Sequence, residues 1–238
     1  MPRKNASTVQ QSFVEKVRTL EAKMFPGRLD DKEKNRMKNE GKYSWLYRPS
    51  HHAETGLITK EDVTMLSESG RRLLSVGAHP AYLEQLLIVL GIPAENIMAT
   101  DKDPAFRFAE GLMDRALFDC TGIWPDIGSF DLIIFPESLC MAVGGDTKRE
   151  EGTSDSPFPS DAKEAEALAV VLSQALSKLR PGGEIRANGP MSHPNVVKAA
   201  SEKLLAKGHG HSIVYDRFFL TVRHAGAGEQ ENTAFRLA

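Results

Sequence analysis

Between Arg71 and Asp103 the chain reads RRLLSVGAHPAYLEQLLIVLGIPAENIMATDKD, and this stretch limits the fold more than any other. A short apolar run, Leu73, Leu74 and Val76, reaches Gly77 as a buried parallel strand would. Tyr82, Leu83, Leu86, Leu87 and Leu90 then recur at spacings of three and four, which predicts a helix. Gly91-Ile92-Pro93 stops it, because proline cannot continue a helix and glycine tolerates the exit conformation. A second strand, Ile97 to Thr100, ends in Asp101. Strand, glycine turn, helix, strand and terminal acid make a nucleotide-binding βαβ unit. The turn offers backbone amides and a helix N-terminus, and the acid accepts hydrogen bonds from ribose hydroxyls. Asp101 lies 24 positions after Gly77, close to the roughly 20 expected of such units.

The turn is poor in glycine. Ala78, His79, Pro80 and Ala81 follow Gly77, whereas a pyrophosphate needs close backbone approach. A ligand with ribose and adenine but no phosphate asks less of it. The stretch resembles motif I of the class I S-adenosylmethionine-dependent methyltransferases, roughly acid-x-G-x-G-x-G. Ser75 stands where that family usually has its acid, and His79 and Ala81 stand where it usually has glycines.

Further along, the chain keeps alternating. Asp103-Pro104 opens a predicted helix to about Asp114, and Ala116 to Cys120 reads as a short strand with Asp119 near its end. Ser129 to Phe135 is the clearest buried strand, and Pro136-Glu137-Ser138 follows it. Met141 to Ser160 is Gly, Ser, Thr, Pro and charge, and reads as a mobile lid at a strand's C-terminal end. Asp161 to Leu179 is a strong helix stopped by Arg180-Pro181-Gly182-Gly183, and Glu184 to Ala187 is a strand left through Asn188-Gly189-Pro190. A helix over Asn195 to Lys207 precedes two adjacent strands, Ser212 to Tyr215 and Phe218 to Arg223; the tail from Ala225 reads as frayed.

This order predicts an α/β fold: a parallel sheet with right-handed crossovers and a closing antiparallel hairpin. It resembles the seven-stranded, mostly parallel, Rossmann-like sheet of the class I methyltransferases with an N-terminal helical extension. LGIPAENIMATDKDP, ALFDCTGIWPDIGSFDLIIFPESL and KLRPGGEIRANG are similar to that family's later motifs in order and spacing. The resemblance covers Arg71 to Arg223. It divides the chain into an extension over 1–70, an S-adenosylmethionine-binding domain over 71–224 and a flexible tail over 225–238.

The resemblance implies an enzyme that binds S-adenosylmethionine. Gly77, Ala78 and His79 would meet its methionine end, Asp101 with Lys102 its ribose, and Asp119 with Cys120 its adenine. Glu137 would face the methyl donor or serve as a base, and Asn188 would orient the acceptor. Each residue also has a plain structural reading. Asp101 and Glu137 can cap the segments after them, Asp119 can be a surface turn residue, and His79 can shape the loop. Phe135-Pro136-Glu137 is unlike the Asn/Asp-Pro-Pro-aromatic motif of amino-group nucleic-acid methyltransferases, which favours a small-molecule acceptor. A silent relative that keeps the fold as a binding or scaffold module is the alternative. A nicotinamide-dependent oxidoreductase fits the glycine-poor turn less well.

The extension begins with an amphipathic helix over Val9 to Met24, then a polar segment from Asp30 to Asn39 and an aromatic cluster of Tyr43, Trp45 and Tyr47. Thr59 and Asp62 make a capping box for a helix through Leu66. Residues 1–50 hold 12 Lys/Arg against 6 Asp/Glu, which leaves a nucleic-acid partner open. The net charge of −2 gives no global reason for a nucleic acid or an anionic membrane. The His51-His52 pair has no acid or cysteine beside it to complete a metal site, and no metal is expected. Two cysteines make no disulfide framework, and no apolar run approaches a membrane span, so the chain reads as cytoplasmic.

Overall fold

A strand whose four residues are all buried must be covered on both faces, and Leu73–Val76 (β1) is such a strand. A computed structural model of the chain describes residues 8–26, 48–78, 81–102, 113–136, 138–143, 159–188, 194–216, 219–224 and 235–237. In it β1 pairs in parallel with Ile97–Asp101 (β2) on one side and with Phe130–Pro136 (β4) on the other. Asp114–Leu117 (β3) lies parallel outside β2, and Leu179–Asn188 (β5) parallel outside β4. Phe219–His224 (β7) is antiparallel to β5 and to His211–Asp216 (β6), and Phe235–Leu237 (β8) runs parallel to β6. The strand order is β3-β2-β1-β4-β5-β7-β6-β8. This is a Rossmann-like, mostly parallel sheet closed by an antiparallel hairpin. The chain leaves β1 toward β2 and β3, then returns to its other side with β4, so the switch point lies between β1 and β4.

Two apolar layers flank the sheet. On one face Leu74, Val76, Ile133, Phe135 and Ile185 pack against Pro159–Ser177 (α6) and Pro194–Ala206 (α7). On the other, Leu73, Ile97, Leu132 and Ile134 meet Tyr82–Val89 (α4) and the N-terminal helices Thr8–Met24 (α1), Pro49–Thr55 (α2) and Lys60–Leu66 (α3). Phe13, Val17, Ala53, Leu57, Ile58 and Leu66 all enter this second layer. The extension is therefore part of the sheet's own cover. Buried Glu21 of α1 accepts from Arg48 Nε at 2.8 Å and from the Ser50 amide at 2.7 Å. Arg186 of β5 reaches Asp62 of α3, with Nη2 to Oδ1 at 3.1 Å. The Thr59–Asp62 capping box is formed as expected.

Several boundaries differ from the sequence expectations. Asp114, expected to end a helix, begins β3, and the strand stops at Leu117 instead of Cys120. The chain turns away there because the Cys120 carbonyl accepts from Trp124 Nε1 and Asp119 makes a local turn. Arg180–Gly183 does not delay the strand. Leu179 already pairs with Phe130, and Pro181-Gly182-Gly183 form an irregularity before Glu184 pairs with Leu132. Met141 and Ala142, placed in the lid from sequence, belong to a short helix, Ser138–Ala142 (α5), and α6 starts at Pro159, where proline suits a first turn. Residues 235–237, read as frayed tail, add an eighth strand that covers the exposed edge of β6. The polar segment Asp30–Asn39, the aromatic cluster of Tyr43, Trp45 and Tyr47, most of the 103–114 helix, residues 144–158 of the lid and 225–234 of the tail lie outside the described residues.

Candidate functional site

The ends of β1 and β2 carry the site's floor. Gly77 leaves β1 with φ of 73°, and a Cβ there would lie 2.3 Å from the Ser138 Cβ at the start of α5, so only glycine fits. The amides of Gly77 and Ala78 both donate to the Thr100 carbonyl, at 2.8 and 2.9 Å. Ser138 Oγ donates to the Val76 carbonyl at 2.5 Å and pins the β4 exit against the turn. Ala81 caps α4 in the left-handed region, φ 61°, and is the one described non-glycine residue with positive φ. Its amide donates to the Ala78 carbonyl.

Under the turn lies a pair of buried polar side chains. The Ser75 hydroxyl of β1 donates to Glu84 Oε1 on the first turn of α4, and both residues are 1% exposed or less. Burial pushes the Glu84 carboxyl up to about 7, with the Ser75 bond and its own amide working the other way. The strand lacks a carboxyl at position 75, and the helix supplies one there instead.

The rim is acidic. Asp101 ends β2, half-buried, with its carbonyl accepting from the Phe118 amide at 3.2 Å. Exposed Lys102 follows it. Asp119 Oδ1 accepts from the Thr121 amide at 2.9 Å and the Thr121 hydroxyl at 2.8 Å. Those bonds, with the Lys102 charge, hold its carboxyl below the usual aspartate range. Burial and then the Asp119 charge lift the Cys120 thiol to about 11, so it is no nucleophile at neutral pH. Asp101 pairs with Leu117 and its carbonyl takes the Phe118 amide, so Lys102, Asp119 and Cys120 follow side by side beyond β2 and β3.

Asn188 is placed differently from the sequence expectation that it orients an acceptor. It ends β5 beside Pro136 in fully buried surroundings. Its Nδ2 contacts His52 Nδ1 at 3.0 Å and donates to Thr55 Oγ1 at 3.1 Å, which fastens α2 to the sheet. Complete burial, helped by His51, lowers the His52 imidazole to about 3. The neutral His52 ring accepts from Asn188, and no cluster of three or more His, Cys, Asp or Glu side chains suited to a metal occurs among the described residues. His79 and Glu137 lie outside the described residues. Sequence reasoning missed Ser138 and Glu84. The available signal was an acid at the third position of a helix that is otherwise apolar but for Gln85.

No protein-family model matches the chain, and no curated protein matches it in sequence. Solved structures match it in fold. One is the S-adenosylmethionine-bound amino pentose methyltransferase of calicheamicin biosynthesis from Micromonospora echinaspora. It has 11% identity and a TM-score of 0.49, over 82% of this chain and 98% of that one. A TehB-like S-adenosylmethionine-dependent methyltransferase from Corynebacterium glutamicum matches at 12% identity and a TM-score of 0.46, over 82% and 95%. An O-methyltransferase family protein from Burkholderia thailandensis matches at 10% identity and 0.46, over 92% and 71%. No helix among the described residues is long and apolar enough to cross a membrane.

Proposed function

We propose that the chain binds S-adenosylmethionine over the β1–α4 turn and transfers its methyl group to a small-molecule acceptor. The observation that carries this reading is the grouping of Asp101, Lys102 and Asp119 beyond β2 and β3, beside the Gly77 turn at the switch point. The donor set suits the ligand. Asp101 offers a carboxylate to ribose hydroxyls, and Asp119, kept ionised by Thr121, offers an acceptor to an adenine amino group. The turn's described amides are bonded within the chain, so nothing there asks for phosphate.

S-adenosylmethionine supplies an electrophilic methyl on a positively charged sulfur. The chain's part is to position and desolvate. Ser138 draws the β4 exit against Gly77, which closes the crevice between β1 and β4 from below. Glu137 precedes it in sequence and is our candidate base for an acceptor that must lose a proton. A small acceptor is supported by the absence of the amino-group nucleic-acid motif after β4. It is also supported by the basic side chains of the extension that are already paired, Arg18 with Glu15 and Glu54, and Arg48 with Glu21.

Calorimetry with S-adenosylhomocysteine on the wild type and Asp101→Ala is the test. Loss of a charge-assisted ribose bond costs about 1.5–3 kcal/mol, roughly ten- to a hundredfold in affinity. Equal affinities would take Asp101 out of the site. A second reading, a binding module without the reaction, is favoured by the Gly77 and Ala78 amides, which are spent on Thr100. A flat wild-type titration selects that reading, and a melting-temperature rise with NAD(H) in its place selects an oxidoreductase.

A further inference from the structure

In a βαβ nucleotide site the strand–helix turn holds phosphates because free amides and a helix N-terminus converge on them. Here the described amides of the turn are occupied. Gly77 and Ala78 donate to Thr100, Ala81 donates to Ala78, and residue 80 is a proline without an amide hydrogen. The helix end also carries the chain's own acid. Glu84 is the third residue of α4, roughly 4.5 Å along the axis from its cap. Its carboxyl accepts from Ser75 beneath the turn and from its own first-turn amide. Among the described residues no cation is paired with it.

We propose that Glu84 determines specificity: its carboxyl at the α4 N-terminus turns the site away from phosphate-bearing nucleotides and toward an adenosine ligand with positive charge at sulfur. The inference rests on the reading of the site as one for S-adenosylmethionine. A phosphate brought to this turn above about pH 7, where Glu84 is ionised, meets bonded amides and a buried negative charge where it needs donors. A sulfonium meets attraction, and in buried surroundings that attraction reaches several ångströms with little screening. The neutral sulfur of S-adenosylhomocysteine feels none of it. Glu84 thus separates two ligands that share every ribose and adenine contact.

The experiment is calorimetry at about pH 8.5, where a carboxyl with a pKa of about 7 is largely ionised. The probes are S-adenosylmethionine, S-adenosylhomocysteine and ADP, and the proteins are the wild type, Glu84→Gln and Glu84→Met. Methionine replaces the buried carboxyl with an apolar chain of similar length and leaves only the Ser75 hydroxyl to find another acceptor, so it carries the test should the glutamine variant not fold. Melting curves establish that the variants are folded. The expected result is a wild-type preference for S-adenosylmethionine over S-adenosylhomocysteine of about five- to tenfold. Both variants should bring that ratio close to one, with S-adenosylhomocysteine bound as before and ADP gaining affinity. An unchanged ratio in folded variants, or wild-type binding of ADP as tight as that of S-adenosylhomocysteine, overturns the role of Glu84 and leaves the site's reading standing. Failure of the wild type to bind either sulfur ligand overturns the reading itself, and this inference with it.

Discussion

Glu84 and His52 are each buried without an opposite charge, and they pull the pH dependence of folding in opposite directions. Burial raises Glu84 from 4.5 to about 7, and burial lowers His52 from 6.5 to about 3. Folded Glu84 keeps a proton that the unfolded chain has lost, so its contribution is complete below about pH 4.5 and is lost as pH rises to about 7. Folded His52 refuses a proton that the unfolded chain takes, so its contribution is present above about pH 6.5 and is lost as pH falls toward 3. Between those ordinary values the two slopes oppose each other, each up to about 1.4 kcal/mol per pH unit. Urea unfolding of the wild type and Glu84→Gln across this range separates them. The variant should gain on the wild type with each unit of rising pH and stop gaining above about 7. A constant difference between the two would mean that Glu84 ionises in the fold as it does in water.

The β1–α4 turn holds two left-handed residues with opposite needs. Gly77 has no room for a side chain, because Ser138 stands where its Cβ would be. Ala81 has a side chain where glycine would be unstrained. Gly77→Ala should therefore cost more than about 2 kcal/mol, the sum of left-handed strain and overpacking. Ala81→Gly should be neutral or stabilising by up to about 1 kcal/mol, since relief of strain exceeds the added chain entropy. Equal losses in denaturant midpoint for the two variants would contradict this account of the turn. The need for glycine after β1 was legible in the sequence, because an apolar run ending in a lone glycine is a local signal. So were β2, β4, α1 and the Thr59–Asp62 cap, each fixed by neighbours within a few residues. The bond from Asn188 to His52 was not legible, because the two lie 136 positions apart. The start of β5 was misread because only pairing with Phe130 reveals a strand before the Pro-Gly-Gly irregularity.

At the scale of the whole molecule, the sequence resemblance divides the chain at residue 70, whereas the packing joins the two parts. Phe13, Val17, Ala53, Leu57, Ile58 and Leu66 from the extension share one apolar layer with Leu73, Leu132 and Ile134 of the sheet. Fully burying six such side chains is worth on the order of 10 kcal/mol, comparable to the 5–15 kcal/mol that holds an ordinary domain together. Polar ties add to the apolar ones. Arg186, only 13% exposed in its side chain, would lose Asp62 and keep Glu184, and fully buried Asn188 would lose both His52 and Thr55. A buried group stripped of its partner costs more than the bond contributed, because it stays desolvated without compensation. A chain beginning at Arg71 should therefore fail to give a cooperative melt and should bind a dye for exposed apolar surface. Adding back residues 1–70 as a separate polypeptide should restore part of the transition. The Arg186→Met, Asp62→Leu double variant probes the polar part of that joint. It should cost about 1–3 kcal/mol, because it leaves Glu184 with Arg223 alone and breaks the Thr59–Asp62 capping box. A sharp melt from the truncated chain with no dye binding would show that the sheet carries its own cover and that the extension only rests on it.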